Sequence, residues 1–280
     1  MKLCFNQATT MKHSTLEKDL ESCEKHGYHL IEIRLDKLRD YLTRHTLKDL
    51  KEYFSTHKIK PFAFNALEFI SFRDEKGNQE IWDTLTFLCE CGAVIDCRKI
   101  VVVPTFDVGD DKTVPMIREE TVRQLRRLAD KAKEYEVKLA FEFVGYPNCS
   151  VNTFNQAYDI VEATGRDNVG IVLDCFHFYS MGSRIEDISK AKGENIFIFH
   201  IDDSEDLPTG AARDDKRLWP GDGIVPLDGI LDGLKKIGYQ DMVSVELFRP
   251  EYYELPIDDC IRIAKEKTVA VVSSYFDIEA

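Results

Sequence analysis

Four ionisable residues close four apolar runs in the second half of the chain. Leu139-Ala140-Phe141 leads into Glu142, Ile171-Val172-Leu173 into Asp174, Ile196-Phe197-Ile198-Phe199 into His200, and Val243-Ser244-Val245 into Glu246. Burying an ionisable group unpaired at the end of an apolar segment is costly. One such residue is explained by a salt bridge or a cap, but four in succession ask for a shared purpose. Three carboxylates converging on one point repel each other and raise their pKa values. A divalent cation removes that repulsion and accounts for the histidine. Glu142, Asp174, His200 and Glu246 are therefore read as a single metal site. Hard oxygens plus one imidazole suit Mn²⁺, Mg²⁺ or Co²⁺, with Zn²⁺ and Fe²⁺ as alternatives; Mn²⁺ is the first expectation. The competing reading is a buried carboxylate–arginine network built on Arg34, Arg217 or Arg249.

Other polar residues fall where they could touch a substrate. His177 follows Asp174 by three positions and could hydrogen-bond a substrate oxygen, or serve only the start of a helix. The stretch 202–226 is long for a loop between strand and helix, and such loops tend to be functional. It carries Arg213, Arg217, Trp219 and the turn Pro220-Gly221-Asp222-Gly223. One of its arginines is expected to balance negative charge on a substrate oxygen. Arg217 and Trp219 are taken as substrate contacts, together with Asn6, Glu32 and Asn65 at earlier strand ends. Glu32 and Arg34, two apart on one face, could instead form an internal ion pair. Phe248 reads as wall, and His13, His26, His29, His45 and His57 as surface.

The elements that must position these groups alternate regularly. Strand-like runs occur at 2–9, 29–34, 59–65, 99–103, 138–144, 168–174, 196–201 and 242–247. Ser14-Thr15-Leu16-Glu17 resembles a capping box opening a helix to about Lys25, and Thr46-x-x-Asp49 opens another. From Glu120 to Glu136, Val122, Leu125, Leu128, Ala129 and Ala132 share one helical face. A last helix is expected over 256–275. Near-continuously apolar strands separated by helices mean a parallel sheet covered by helices. Eight units of about 35 residues fit a closed (β/α)8 barrel better than an open doubly wound sheet. Asn6-Gln7-Ala8-Thr9-Thr10 also lacks the glycine-rich turn of a dinucleotide fold. The expected fold is an α/β TIM barrel, one domain over 1–280, whose chemistry sits at the C-terminal ends of its strands.

Composition narrows the function further. Of 280 residues 44% are hydrophobic and 31% charged, an ordinary globular balance. The net charge of −13 disfavours bulk nucleic-acid binding. No apolar run approaches membrane-spanning length, and the N-terminus lacks the apolar core of a signal peptide. A cytoplasmic protein is expected, with its eight cysteines reduced. Cys89, Cys91 and Cys97 match no common zinc spacing and read as buried thiols.

The order of these residues resembles the xylose isomerase-like barrels. The features that carry it are Glu at strand five, Asp-x-x-His after strand six, His at strand seven, a Pro-Gly-x-Gly turn and Glu at strand eight. The longer segments 1–10, 151–154, 200–203 and 244–253 are similar to the branch that acts on keto-inositols. The resemblance implies a metal-dependent isomerase of inositol catabolism, interconverting 2-keto-myo-inositol (inosose) and 1-keto-D-chiro-inositol. It implies Glu142 and Glu246 as ligands and proton carriers, working through a cis-enediolate held at one divalent metal. Xylose isomerases place a lysine shortly after the strand-five glutamate and bind two metals. Here Phe143-Val144-Gly145-Tyr146 follows Glu142, and no second ligand set is evident. Proton transfer is therefore expected rather than hydride shift.

The neighbouring readings are a ketose 3-epimerase or an inosose dehydratase on the same metal site. An abasic-site nuclease would want histidines at strands two to four, where Glu32, Asn65 and Pro104-Thr105 stand. A non-catalytic sugar-binding barrel would show a broken ligand set. The expected partner is a small keto-cyclitol or ketose, with no nucleic acid and no membrane; monomer and homodimer both stay open.

Overall fold

The computed structural model describes residues 1–279. Eight parallel strands close into a barrel: β1 (Lys2–Asn6), β2 (Leu30–Arg34), β3 (Lys60–Glu68), β4 (Lys99–Val103), β5 (Lys138–Glu142), β6 (Val169–Asp174), β7 (Ile196–Ile201) and β8 (Met242–Val245). They are ordered by sequence round the ring, and β8 pairs with β1 in the register Phe5↔Val245. The helices α1 (Leu16–Lys25), α2 (Leu35–Tyr41), α3 (Leu47–Thr56), α4 (Glu75–Ile95), α5 (Val114–Lys133), α6 (Phe154–Thr164), α7 (Cys175–Ser180), α8 (Ile185–Ile188), α9 (Leu227–Lys236), α10 (Pro250–Tyr253) and α11 (Ile257–Val272) lie between and after them. None is long and apolar enough to cross a membrane.

The expected αβ alternation is present, with local differences at element ends. β1 stops at Asn6 because the Asn6 side chain accepts from the Ala8 amide at 2.9 Å, turning Gln7–Thr9 into a 3₁₀ turn. The cap of α1 is Thr15, accepting from the Lys18 amide, rather than Ser14. The box at Thr46 and Asp49 is formed in both directions. α5 begins six residues earlier than expected, capped by Thr113 with a proline in its first turn. Its five predicted apolar residues are all buried.

Two apolar layers follow from the pleat. Residues pointing outward from the strands pack on the helices. Inward-pointing residues, among them Cys4, Leu30, Ala140, Val172, Ile198 and Met242, fill the barrel itself. Phe197 belongs to this plug and needs Gly170 beside it, since a Cβ there would stand 2.5 Å from the ring. A strand repeats every two residues. The residues two positions on from Ala140, Val172, Ile198 and Ser244 therefore also point inward, one layer nearer the C-terminal mouth. These are Glu142, Asp174, His200 and Glu246. All eight cysteines are unpaired and buried, including Cys89, Cys91 and Cys97.

Candidate metal centre

The register brings the four strand-end residues together. Asp174 lies opposite His200, and His200 opposite Ser244, two residues before Glu246. One donor atom from each of Glu142, Asp174, His200 and Glu246 lies within 4.8 Å of the others, and it is the one such cluster found among the described residues. His200 Nδ1 is 3.2 Å from Glu142 Oε1, 3.2 Å from Glu246 Oε2 and 3.7 Å from Asp174 Oδ2. All four side chains are buried.

The electrostatics of the cluster ask for positive charge at that point. Burial, reinforced by the Glu246 and Asp174 charges, pushes the Glu142 carboxyl up to about 8 against the pull of His200. Burial would lower His200, but the surrounding Glu246, Glu32, Asp174 and Glu142 draw it well above its ordinary value. Burial also works against ionising Asp174 and Glu246. Arg217 with His177 and His200 outweighs it at Asp174, and His200 with Arg217 outweighs it at Glu246, so both are held low. Oxygen donors converging with one imidazole nitrogen answer to a divalent cation, which would neutralise the repulsion that raises Glu142.

The two nitrogens of His200 face different partners. While Nδ1 faces the cluster, Nε2 is 3.1 and 3.2 Å from the two oxygens of Glu32. Glu32 is fully buried and makes no ion pair with Arg34, which pairs with Asp36 at 2.9 Å instead. Its place is thus behind the imidazole and not in the cleft, a carboxylate–histidine arrangement that fixes ring orientation.

Both readings drawn from the sequence, metal cluster and arginine network, are partly present. Arg217 is fully buried, and its Nη1 donates to Asp174 Oδ2 at 2.7 Å and to Asp202 Oδ2. Its Nε donates to Asp214 at 2.9 Å. Its place depends on a small antiparallel ladder between Asp203–Ser204 and Arg217–Leu218, which returns the long loop to the mouth. Gly223 lets that loop close, because a Cβ there would sit 2.2 Å from the Ser204 carbonyl oxygen. Arg249 pairs with Glu205 and Glu251, and Arg213 lies over Tyr146.

Above the cluster opens a cleft of about 250 Å³. Asn65, Glu142, His177, Arg217 and Glu246 line it, and Phe69, Phe106, Tyr146 and Phe248 add an aromatic wall. Asn65 donates to Glu246 Oε1 at 3.1 Å, and Asn6 donates to the same oxygen at 2.8 Å from a fully buried position. Trp219 does not line this cleft: it is buried against Tyr252, rings stacked 4.2 Å apart. His177 Nε2 accepts from Arg217 Nη2 at 3.1 Å, so its proton sits on Nδ1, which has no partner. Burial keeps that imidazole below its ordinary pKa and hence neutral. Asp202 was missed in the sequence, although it lies two residues after His200 on the same pleat.

The profile of the family described as Xylose isomerase-like TIM barrel matches residues 20–267. The chain is a member of that family. Among curated relatives, the inosose isomerase of Bacillus velezensis is 54% identical over 282 residues, covering 100% of each chain. That of Halalkalibacterium halodurans is 52% identical, covering 100% of this chain and 99% of its own. A crystal structure described as IOLI protein with a bound zinc atom superposes with a TM-score of 0.97 at 53% identity, covering 99% of this chain and 100% of that one. For this xylose isomerase-like barrel, the open end is the mouth at which Glu142, Asp174, His200 and Glu246 meet.

Proposed function

We propose that this chain is an inosose isomerase that moves the carbonyl of 2-keto-myo-inositol to the neighbouring ring carbon, giving 1-keto-D-chiro-inositol. The observation that carries the chemistry is the convergence of Glu142, Asp174, His200 and Glu246 within 4.8 Å at the barrel mouth. The curated relatives at 54% and 52% identity carry the substrate. These four residues would hold one divalent cation, with Mn²⁺ preferred and zinc supported by the bound atom of the related structure. Such a cation supplies Lewis-acid polarisation of a carbonyl and its adjacent hydroxyl.

The chain's own groups divide the proton work. Glu246 is held ionised, its Oε1 accepting from Asn6 and Asn65, and suits the base that takes the carbinol C–H proton. Glu142, reaching the mouth from a strand three places round the ring, suits the second carrier. Ionised as a ligand, it takes up the substrate hydroxyl proton and returns a proton to the former carbonyl carbon, while the proton held by Glu246 passes to the former carbonyl oxygen. The reverse reaction exchanges these duties. The free Nδ1–H of His177 can hydrogen-bond the oxygen that gains charge, and Arg217 fixes that tautomer. The reading places the chain in the cytoplasm, where buried free thiols stay reduced, and in inositol catabolism through its keto-inositol substrate.

Incubation with Mn²⁺ and 2-keto-myo-inositol in D₂O tests the reading. The expected product is 1-keto-D-chiro-inositol carrying deuterium at the carbon that lost its carbonyl. A dione formed by loss of water would make the chain a dehydratase, and no conversion would remove the proposal.

A further inference from the structure

The carboxylate assigned as base sits where the barrel ladder has already ended. β8 pairs with β1 only as far as Phe5↔Val245, and with β7 only as far as Val245↔Ile201. Glu246 lies one residue beyond both ladders. A different group holds the backbone there. The Thr9 hydroxyl donates to the Val245 carbonyl at 3.2 Å and accepts from the Leu247 amide at 3.1 Å. One buried side chain thus bridges the peptide groups on either side of Glu246.

The turn bearing Thr9 is anchored in its own right. Asp19 accepts from Gln7 Nε2 at 2.6 Å, from the Thr10 hydroxyl at 3.0 Å and from Lys37 Nζ at 2.7 Å. Lys37 also donates to the Thr10 hydroxyl at 2.8 Å. Asp19 is 0% exposed and Lys37 5%, so this is a buried ion pair whose partners satisfy one another. Buried charges that are fully paired define one geometry rather than several. The network lies outside the cleft and touches none of the side chains of Glu142, Asp174, His200 and Glu246 directly; its reach to them is through Thr9 and through Asn6, which donates to Glu246 Oε1.

We infer that Thr9 is a positioning residue for Glu246, setting the carboxylate by bridging the backbone at Val245 and Leu247 across the seam where β1 meets β8. The inference rests on the reading of Glu246 as metal ligand and proton carrier. Positioning errors of about 1 Å cost on the order of 10²-fold in rate, so a loosened seam has a measurable effect.

Thr9→Val keeps the shape and removes the hydroxyl, whereas Thr9→Ser keeps the hydroxyl. The full chain is measured for kcat and KM on 2-keto-myo-inositol at saturating Mn²⁺. Mn²⁺ affinity is measured by calorimetry without substrate. Thr9→Val is expected to lower kcat at least ~10-fold while KM changes less than ~3-fold. It is also expected to weaken Mn²⁺ binding by roughly 3- to 10-fold, and Thr9→Ser to recover both to within about 3-fold. If Thr9→Val does not fold, Thr9→Ala, which leaves space for a water, takes its place. A folded variant with the parent kcat and Mn²⁺ affinity, lowered only in melting temperature, overturns the inference, as does failure of Ser to restore function. A parent that binds Mn²⁺ but does not convert the keto-inositol removes the proposed function alone, and the affinity series still decides the role of Thr9. A parent that binds no Mn²⁺ overturns both.

Discussion

His200 and Glu32 face each other across the barrel interior, the imidazole Nε2 standing 3.1 Å from a carboxylate that is itself fully buried. This contact leaves Nδ1 directed at Glu142, Asp174 and Glu246. It also gives the imidazole a strong acceptor for its remaining proton, which raises its basicity as a ligand. Glu32→Gln keeps the size and loses the charge. The expected result is a Mn²⁺ affinity weaker by about 10- to 100-fold, with little change in KM at saturating metal. Calorimetric titration checks it; unchanged affinity would mean that Glu32 does not orient His200.

Glu142→Gln and Glu246→Gln test the proton carriers. Each substitution leaves a side chain of similar volume, so the barrel should stay folded. Loss of a general acid or base costs typically ~10²–10⁴-fold, and either variant should fall at least that far. Circular dichroism checks the fold and a coupled assay the turnover. Retained turnover in both would require another pair of groups to move the proton.

Arg217 is the only cation reaching Asp174, Asp202 and Asp214 together among the described residues. Arg217→Met leaves Asp202 and Asp214 without their counter-charge and Asp174 with His200 alone. Breaking a buried pair by removing one partner costs about 3–5 kcal/mol, and a loss in that range is expected from urea denaturation. Arg217→Lys keeps the charge but cannot reproduce the fork that holds Asp174, Asp214 and His177 at once. It should recover part of the stability and little of the turnover. An unchanged urea midpoint for Arg217→Met would show that the network does not stabilise the barrel.

The four-residue cluster was legible because each of its members closes an apolar run with a period of two, so one pleat carries both plug and polar group. The strand order followed from eight such runs with helices between. What sequence could not place is what closure itself brings together. Glu32 and His200 belong to strands that are not neighbours in the ring, and nothing local pairs them. Arg217 enters through a two-residue ladder too short for any periodic signal. Trp219, expected at the substrate, turns instead to Tyr252 of α10, and the two rings stack. Asp202 had a signal, its two-residue spacing from His200, but was absorbed into the loop that it begins.

The pH dependence of stability follows from the direction of the shifts at the cluster. Glu142 is raised from its ordinary value to about 8, chiefly by burial, and His200 is raised by the carboxylates that overcome its own burial. In the absence of a cation the folded chain therefore holds more protons than the unfolded chain across that interval. The stability from these two groups is present below the unfolded values and is lost as pH rises through the folded ones. Asp174 and Glu246 are shifted down, so their contribution is present above the unfolded carboxyl values and fades only below about pH 4. Between about pH 5 and 8 the raised groups govern, and the chelator-treated protein is expected to melt at progressively lower temperature. A cation binds only the deprotonated ligands, so Mn²⁺ affinity should climb over the same interval and release protons as it binds. Saturating Mn²⁺ should then flatten or reverse the fall in melting temperature. Scanning calorimetry at stepped pH, with chelator and with Mn²⁺, reads both limbs. Parallel curves under the two conditions would show that these carboxylates and His200 do not share their protons with a metal site.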